Sequence, residues 1–343
     1  PVPNIAWGVV MRHERYTGTL PAGNKIDLAR FWFEDLTDFI TCVEAWPLKK
    51  NSTGNPPDEG WDKNMGFPMA LKCAKHGWAE GAEKTNRKIS QIVAQGEFTK
   101  SLFYFTDEPG QYDLADIGRA LSGDNEYWFT ERHEKGFGEP QFVRIVTNMT
   151  ASSGVNAETL YNRALALACL VTLFERAEVH TEIWFATTSD GRQGKGMEAI
   201  TKLKSYYEPL DAERIAFCIG HPAFFRRLGF VCDEMLQQPA YQDIWENISF
   251  NYGHPMPLTV ETLEILTPDL VFGEMTSGGE IDWNNQTTVK RWLKTTLEKY
   301  GVAVTFTEQA QEAKPPYEPT PAPAPRPLPP PVRRRTYRKR RIF

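Results

Sequence analysis

Between residues 141 and 308 the chain alternates short strand-like runs with helical ones, and this limits its fold more than any other feature. Residues 142–148 (FVRIVTN) read as a strand and 157–176 as a helix. Residues 181–188 (TEIWFATT) read as a strand, 195–207 as a helix, 214–220 (RIAFCIG) as a strand and 223–236 as mostly helix. Residues 270–275 read as a strand, 287–300 as a helix and 302–307 as a last strand. Such alternation predicts an α/β fold: a Rossmann-like, doubly wound, mostly parallel sheet with helices on both faces. Ligands on such sheets sit at the carboxyl ends of the strands.

The rest of the chain reads differently. Residues 1–140 predict an α+β region with short helices at Asp27–Cys42, Met65–Trp78 (ended by Gly77) and Leu114–Leu121. Residues 309–343 predict a disordered tail: a polyproline-like stretch, PPYEPTPAPAPRPLPPP, then the basic run RRRTYRKRR. Three segments follow, 1–140, 141–308 and 309–343. From Lys314 onward there are nine basic residues and one acid, +8 in all, so the remainder carries −13 of the net −5. An acidic body with a basic tail is the main electrostatic fact. No stretch of 18 apolar residues predicts a membrane span. The start PVPNIAWGVVMRHERY has no signal-peptide pattern. The five cysteines are odd in number and never form CxxC, which predicts reduced thiols in a cytosolic setting.

The run FVRIVTNMTASSG stops abruptly on side-chain oxygens. Asn148, Thr150 and Ser152 stand at positions one, three and five after a strand and just before a helix. A loop leaving a strand can aim alternate side chains at one point, and hard cations such as Mg²⁺ or Mn²⁺ want oxygen ligands. This spacing resembles the D-x-S-x-S loop of the metal-ion-dependent adhesion site in von Willebrand factor A domains, with Asn148 where the family has Asp. The resemblance implies a von Willebrand A-like domain over 141–308 with a degenerate metal site. A neutral amide weakens such a site, and a second loop would have to contribute, from Thr187, Thr188, Asp190, Glu274 or Asp282. The other reading makes Asn148, Thr150 and Ser152 loop and cap residues that satisfy backbone amides.

Further segments resemble a family of bacteriophage proteins of unknown activity over roughly residues 60–300. The matching residues are Ala70, Leu71, Ala74, Gly77, Trp78, Glu80 and Gly81; Asp116, Leu121 and Gly123; 148–155; and Ala216, Phe217, His221, Pro222, Arg226 and Arg227. The resemblance implies a viral context, with the protein in the host cytoplasm or associated with the virion.

Other constellations carry weaker chemistry. His221 is a candidate base or ligand at the sheet edge, and Arg226 or Arg227 a candidate anion site. Alternatively, Pro222 starts a helix, His221 caps it and the arginines pair with acids. The six histidines form no HxH or HExxH. Ser152 and Ser153 lack a nucleophile elbow. Residues 191–196 (GRQGKG) are glycine-rich but lack the phosphate-loop ending. Trp78 between glycines reads as a packing anchor, with Glu80 able to reach the sheet edge.

Arg333, Arg334, Arg335, Arg338, Lys339, Arg340 and Arg341, with Tyr337 among them, suit phosphate neutralisation and base stacking. The functional expectation is a non-enzymatic viral interaction protein, with a sheet-edge site for a protein partner and a tail for nucleic acid. The alternatives are a nucleic-acid-binding accessory protein in phage replication, transcription or packaging, and a metal-dependent hydrolase.

Overall fold

The first forty residues already hold two strands of the central sheet. In the computed structural model, the described residues are 11–46, 56–92, 99–106, 114–115, 128–134, 141–248, 254–277, 279 and 281–303. Strand β1 (Met11–Thr19) pairs antiparallel with β2 (Lys25–Phe33), and helix α1 (Leu36–Ala45) follows. The helix expected at Asp27–Cys42 is therefore corrected to a strand and a shorter helix. Ala29, Phe31 and Phe33 on one side of β2, and Leu28 and Arg30 on the other, are all buried. A strand buried on both faces reads as a continuous apolar run, which a helical pattern also fits. The start of α1 is set by Asp35, whose side chain accepts the Asp38 N–H at 2.9 Å.

Three helices come next: α2 (Glu59–Asp62), α3 (Phe67–His76) and α4 (Ala79–Ile92). Gly77 ends α3 at φ 90°, where a Cβ would stand 2.7 Å from Glu213 Cβ. Strands β3 (Thr99–Thr106), β4 (Leu114–Ala115) and β5 (Trp128–Glu134) follow. Of the helix expected at 114–121, residues 114–115 are strand, and the rest lies outside the described residues.

Strand β6 (Gln141–Asn148), helix α5 (Ala157–Arg176) and strand β7 (Val179–Asp190) match the sequence expectation. The next two elements reverse it. Residues expected as a helix form strand β8 (Lys195–Lys204), and the strand expected at 214–220 is helix α6 (Ala212–Cys218). A π-helical turn (Phe224–Gly229) leads into α7 (Phe230–Met235), then α8 (Gln242–Ile248) and α9 (Val260–Leu266). Strand β9 (Leu270–Phe272), helix α10 (Gln286–Lys299) and strand β10 (Val302–Ala303) complete the described chain.

The fold is mixed α/β. Its main sheet has the order β1-β2-β8-β7-β6-β9. Three of its five pairings are parallel: β2 with β8, β6 with β7 and β6 with β9. A smaller antiparallel sheet has the order β10-β3-β5-β4. The boundary expected at 140/141 does not divide the molecule, because β2 pairs with β8 from Asp27–Lys195 to Phe33–Thr201. One compact unit covers Pro1–Thr307; the other, Glu308–Phe343, lies outside the described residues.

One sheet face carries most of the core. Phe31, Phe33, Phe185 and Ala199 meet α1 and the π turn, with Phe39–Phe185 and Phe185–Phe224 ring centroids 5.2 and 5.0 Å apart. Leu167, Leu170, Leu173 and Phe174 of α5 cover Val143, Ile145 and Ile183. On the other face, Val146, Trp184 and Ile200 pack under Leu258 and Leu266.

That second face is fastened by a buried polar cluster. Glu198 is fully buried and accepts from Thr259 N at 2.7 Å, Thr262 Oγ1 at 2.7 Å and Tyr16 OH at 3.0 Å. Arg30 lies 3.4 Å from the same carboxylate and 3.9 Å over the Tyr16 ring. Removing one partner of a buried pair costs up to about 3–5 kcal/mol; Arg30 keeps a second, more exposed carboxylate in Glu14 at 3.0 Å, which places the loss toward the low end of that range. Glu198→Ala is thus expected to lose about that much in urea unfolding, while Arg30→Met/Glu198→Leu recovers most of it. A double variant as weak as the single one would contradict this assignment.

Candidate functional site

Strand β6 stands where the chain changes direction across the sheet. Helix α5 carries the chain to β7 on one side of β6, while β9 returns on the other. In open α/β sheets the crevice beyond the strand ends at such a switch point is where ligands bind. Here an open cleft of about 800 Å³ lies at that place, between the start of α5 and the segment after β9. Gly154, Asn156 and Thr159 form one wall, and Phe272, Glu274 and Trp283 stand on the other.

The hydroxyl loop forms the approach to this cleft. Asn148 is wholly buried at the end of β6. Its Oδ1 accepts the Thr150 N–H at 3.1 Å, and its Nδ2 donates to Met256 O at 2.8 Å and Thr188 Oγ1 at 3.1 Å. A backbone N–H can only donate and a carbonyl can only accept, so these partners fix the orientation of the amide. Thr150 Oγ1 accepts the Thr188 N–H at 2.7 Å, and Thr188 Oγ1 donates to Met256 O at 2.6 Å. Asn148 and Thr150 are thus brought together with Thr188. Ser152 stands apart; its Oγ is buried without a hydrogen-bond partner among the described residues.

Tested against a divalent cation, this set does not fit. The oxygens of Asn148 and Thr150 already accept backbone N–H groups. The Asn148 amide nitrogen is engaged as well, on Met256 O and Thr188 Oγ1. No group of three or more His, Cys, Asp or Glu side chains capable of holding a metal occurs among the described residues. Of the second-loop candidates, Thr188 joins the cluster, whereas Thr187 packs toward Gly229. Asp190 has its carboxyl raised above the usual range by burial. Glu274 and Asp282 line the cleft instead.

The cation in the cleft is an arginine that sequence reading passed over. Arg163 projects from the second turn of α5 and is 5% exposed. Its Nη1 donates to Asn148 O at 3.1 Å and its Nη2 to Gly273 O at 2.7 Å, so one guanidinium spans the ends of β6 and β9. Burial lowers its pKa to about 10, offset in part by the charge of Glu274, and it stays cationic at neutral pH. A charged residue inside the apolar run RALALACL was the available signal.

His221 does not end a strand, because the segment before it is α6. It is 4% exposed, stacks on Phe217 and meets Trp78 edge-on with centroids 4.7 Å apart. Its Nδ1 accepts the Ala223 N–H at 3.1 Å, which is the capping role. Burial lowers its pKa to about 4, with Lys84 and Lys63 acting in the same sense and Glu80 against. Arg226 donates to Val155 O at 2.9 Å and lies 4.0 Å over the Trp61 ring, so it braces the hydroxyl loop from behind. Arg227 pairs with buried Asp62, Nε to Oδ2 at 2.7 Å. Glu80 pairs with Lys84 at 2.6 Å. Residues 191–194 turn β7 back into β8, and a strand rather than a helix follows. The basic candidates Arg333–Arg341 lie outside the described residues.

A family model described as a domain of unknown function (DUF7192) matches residues 19–304, most of the chain. No curated protein and no solved structure matches it.

Two measurements test this geometry. Asn148→Asp turns a carboxylate toward Met256 O and is expected to cost about 1–3 kcal/mol in urea unfolding, with no recovery in millimolar Mg²⁺. Recovery on adding Mg²⁺ would reinstate the cation reading. For His221, the folded pKa of about 4 lies below the ordinary 6.5. The unfolded chain therefore takes up the proton first as pH falls. The contribution is whole above about pH 6.5 and is lost toward pH 4, by about 3 kcal/mol. Asp233, raised by burial to about 7, acts with the opposite sign. Comparison with His221→Phe at each pH removes that background. A stability gap between the two that stays constant from pH 7.5 to 4.5 would overturn the assignment.

Proposed function

This chain belongs to the DUF7192 family, and we propose that it is a non-enzymatic bacteriophage interaction protein of the host cytoplasm. In this reading a von Willebrand A-like body holds a protein partner at the carboxyl edge of its sheet, and the basic tail holds nucleic acid. The observation that carries it is the open cleft at the switch point, flanked by the hydroxyl loop. The strand–loop–helix order of β6, the hydroxyl loop and α5 supports the von Willebrand A-like part. No described helix is long and apolar enough to cross a membrane.

The tail reading rests on charge. Seven of the nine residues in Arg333–Arg341 are basic, and each phosphate neutralised steepens the salt dependence of binding. If the tail dominates, the protein is an accessory factor in replication, transcription or packaging, and the cleft is secondary. The hydrolase alternative receives no support from the hydroxyl loop, whose oxygens are already engaged.

Both halves are testable in the full chain. A photo-crosslinking side chain at Ser277, on the cleft lining, is expected to capture one discrete protein during infection. Gly154→Trp should abolish capture, because a Cβ at Gly154 meets only Ser277 and Ser152 at 3.7 Å or more, which leaves room for the indole in the cleft. Deleting residues 332–343 should weaken binding of a labelled oligonucleotide at least tenfold and flatten its salt slope, read by fluorescence anisotropy. Capture that survives Gly154→Trp sinks the edge site. Oligonucleotide binding that survives the deletion sinks the tail.

A further inference from the structure

Arg163 is a buried cation that forms no salt bridge among the described residues. Its two hydrogen bonds go to neutral carbonyls, Asn148 O and Gly273 O. Among the described residues it forms no ion pair; Glu274 acts on it only at a distance. A guanidinium has five N–H donors, and these two bonds use two of them. Burying an unpaired charge costs several kcal/mol, and folded proteins offset that cost with a partner. Arg163 meets that condition at the base of an open cleft.

The surroundings narrow the class of partner. The first turn of the 20-residue helix α5 lines the same cleft. Helix N-termini present free N–H groups and a positive dipole end to anions. Asn156 occupies one of these groups, accepting from Thr159 N at 2.8 Å. The Ser152 hydroxyl of the loop is buried without a partner among the described residues. Phe272 and Trp283 offer flat apolar surface, whereas Glu274 and Asp282 offer hydrogen-bond acceptors. Those two carboxylates repel further negative charge but accept from hydroxyl or amino groups. A volume of about 800 Å³ suits a small molecule.

We propose that the cleft binds a phosphorylated small molecule of nucleotide size, with its phosphate on Arg163 and the first turn of α5. Its uncharged, hydroxyl-bearing or aromatic body lies along Phe272 and Trp283, with polar groups toward Glu274 and Asp282. This rests on the reading of the carboxyl edge as the binding edge, and not on the protein partner assigned to it.

The test is isothermal titration of the full chain with AMP, inorganic phosphate and adenosine, alongside ³¹P line broadening. AMP is expected to bind saturably at or below about 1 mM. Adenosine, lacking the phosphate, should bind at least tenfold more weakly, and phosphate alone should compete with AMP. Arg163→Lys keeps the charge, loses the planar fork and should weaken AMP tenfold or more. Because Arg163 also ties two strands, Gly154→Trp is the second variant; it leaves the guanidinium in place and should block AMP. Failure of AMP and phosphate to saturate the wild-type chain overturns the proposal. So does AMP binding that Gly154→Trp leaves unchanged, or adenosine binding equal to AMP. Loss of the Ser277 crosslink with AMP binding intact removes the protein partner alone, whereas the reverse pattern removes the phosphate site alone.

Discussion

One guanidinium ties the end of β6 to the end of β9. β6 and β9 run parallel for only three residue pairs, from Ile145–Leu270 to Thr147–Phe272. Beyond those pairs the ladder is interrupted at Asn148 and Gly273 before the two segments meet again at Ala151 and Met275. Arg163 joins the two ends there by bonding Asn148 O and Gly273 O. The Ala151–Met275 bridge, with Ser152 N–H to Met275 O at 2.8 Å, closes the arrangement further out. The guanidinium and this bridge together join the two segments that flank the cleft.

The elements that sequence reading recovered and those it missed divide along physical lines. Helix α5 was legible at both ends, since Asn156 is a side-chain N-cap and the Ala/Leu-rich run ends at Arg176. Strands β6 and β7 were legible because their β-branched and aromatic residues suit a pleat buried on both faces. Strand β8 was not. Its residues, KGMEAITKLK, include Met, Glu, Ala, Lys and Leu, all good helix formers. They are held extended by β2 on one side and β7 on the other. Glu198 can lie inside that strand only because Arg30 and two threonines meet it, which no local pattern reveals. The opposite error occurred at α6, whose short run IAFCI fits a buried strand equally well. The deciding mark was Asp211, which accepts the Arg214 N–H at 3.0 Å as an N-cap.

The hydroxyl loop shows how one spacing can serve two ends. Alternate oxygens after a strand converge on a point, and that convergence was legible. What occupies the point was not. With Asp at the first position, a converging set carries charge that has to be met by a cation. With Asn148, the same position supplies both an acceptor and a donor, and the donor finds Met256 O. The loop then closes on itself, and its polar atoms hold residues 254–258 against the sheet. Asn148 is thus tied to the carbonyl of Met256, a contact more than 100 residues away.

The motifs that stand out along the chain converge behind the cleft rather than in it. Trp78 packs on His221, His221 caps the turn that carries Arg226, and Arg226 reaches Val155 O at the start of α5. Asp62 holds Arg227 one residue on, and Pro56 O takes a further bond from it at 3.0 Å. Segments near residues 56–62, 78, 155 and 221–227 therefore form one buttress. Its contacts are buried cation to carbonyl, cation to ring and ring to ring, all directional, so that side of the loop is fixed in place. The described residues of the opposite wall, 273–277, 279 and 281–283, are mainly exposed or half-buried and carry the carboxylates of Glu274 and Asp282. A fixed wall bearing the buried cation faces an open wall bearing acceptors. In the proposed complex the first wall would hold the phosphate, and the second would meet the rest of the ligand with its carboxylates.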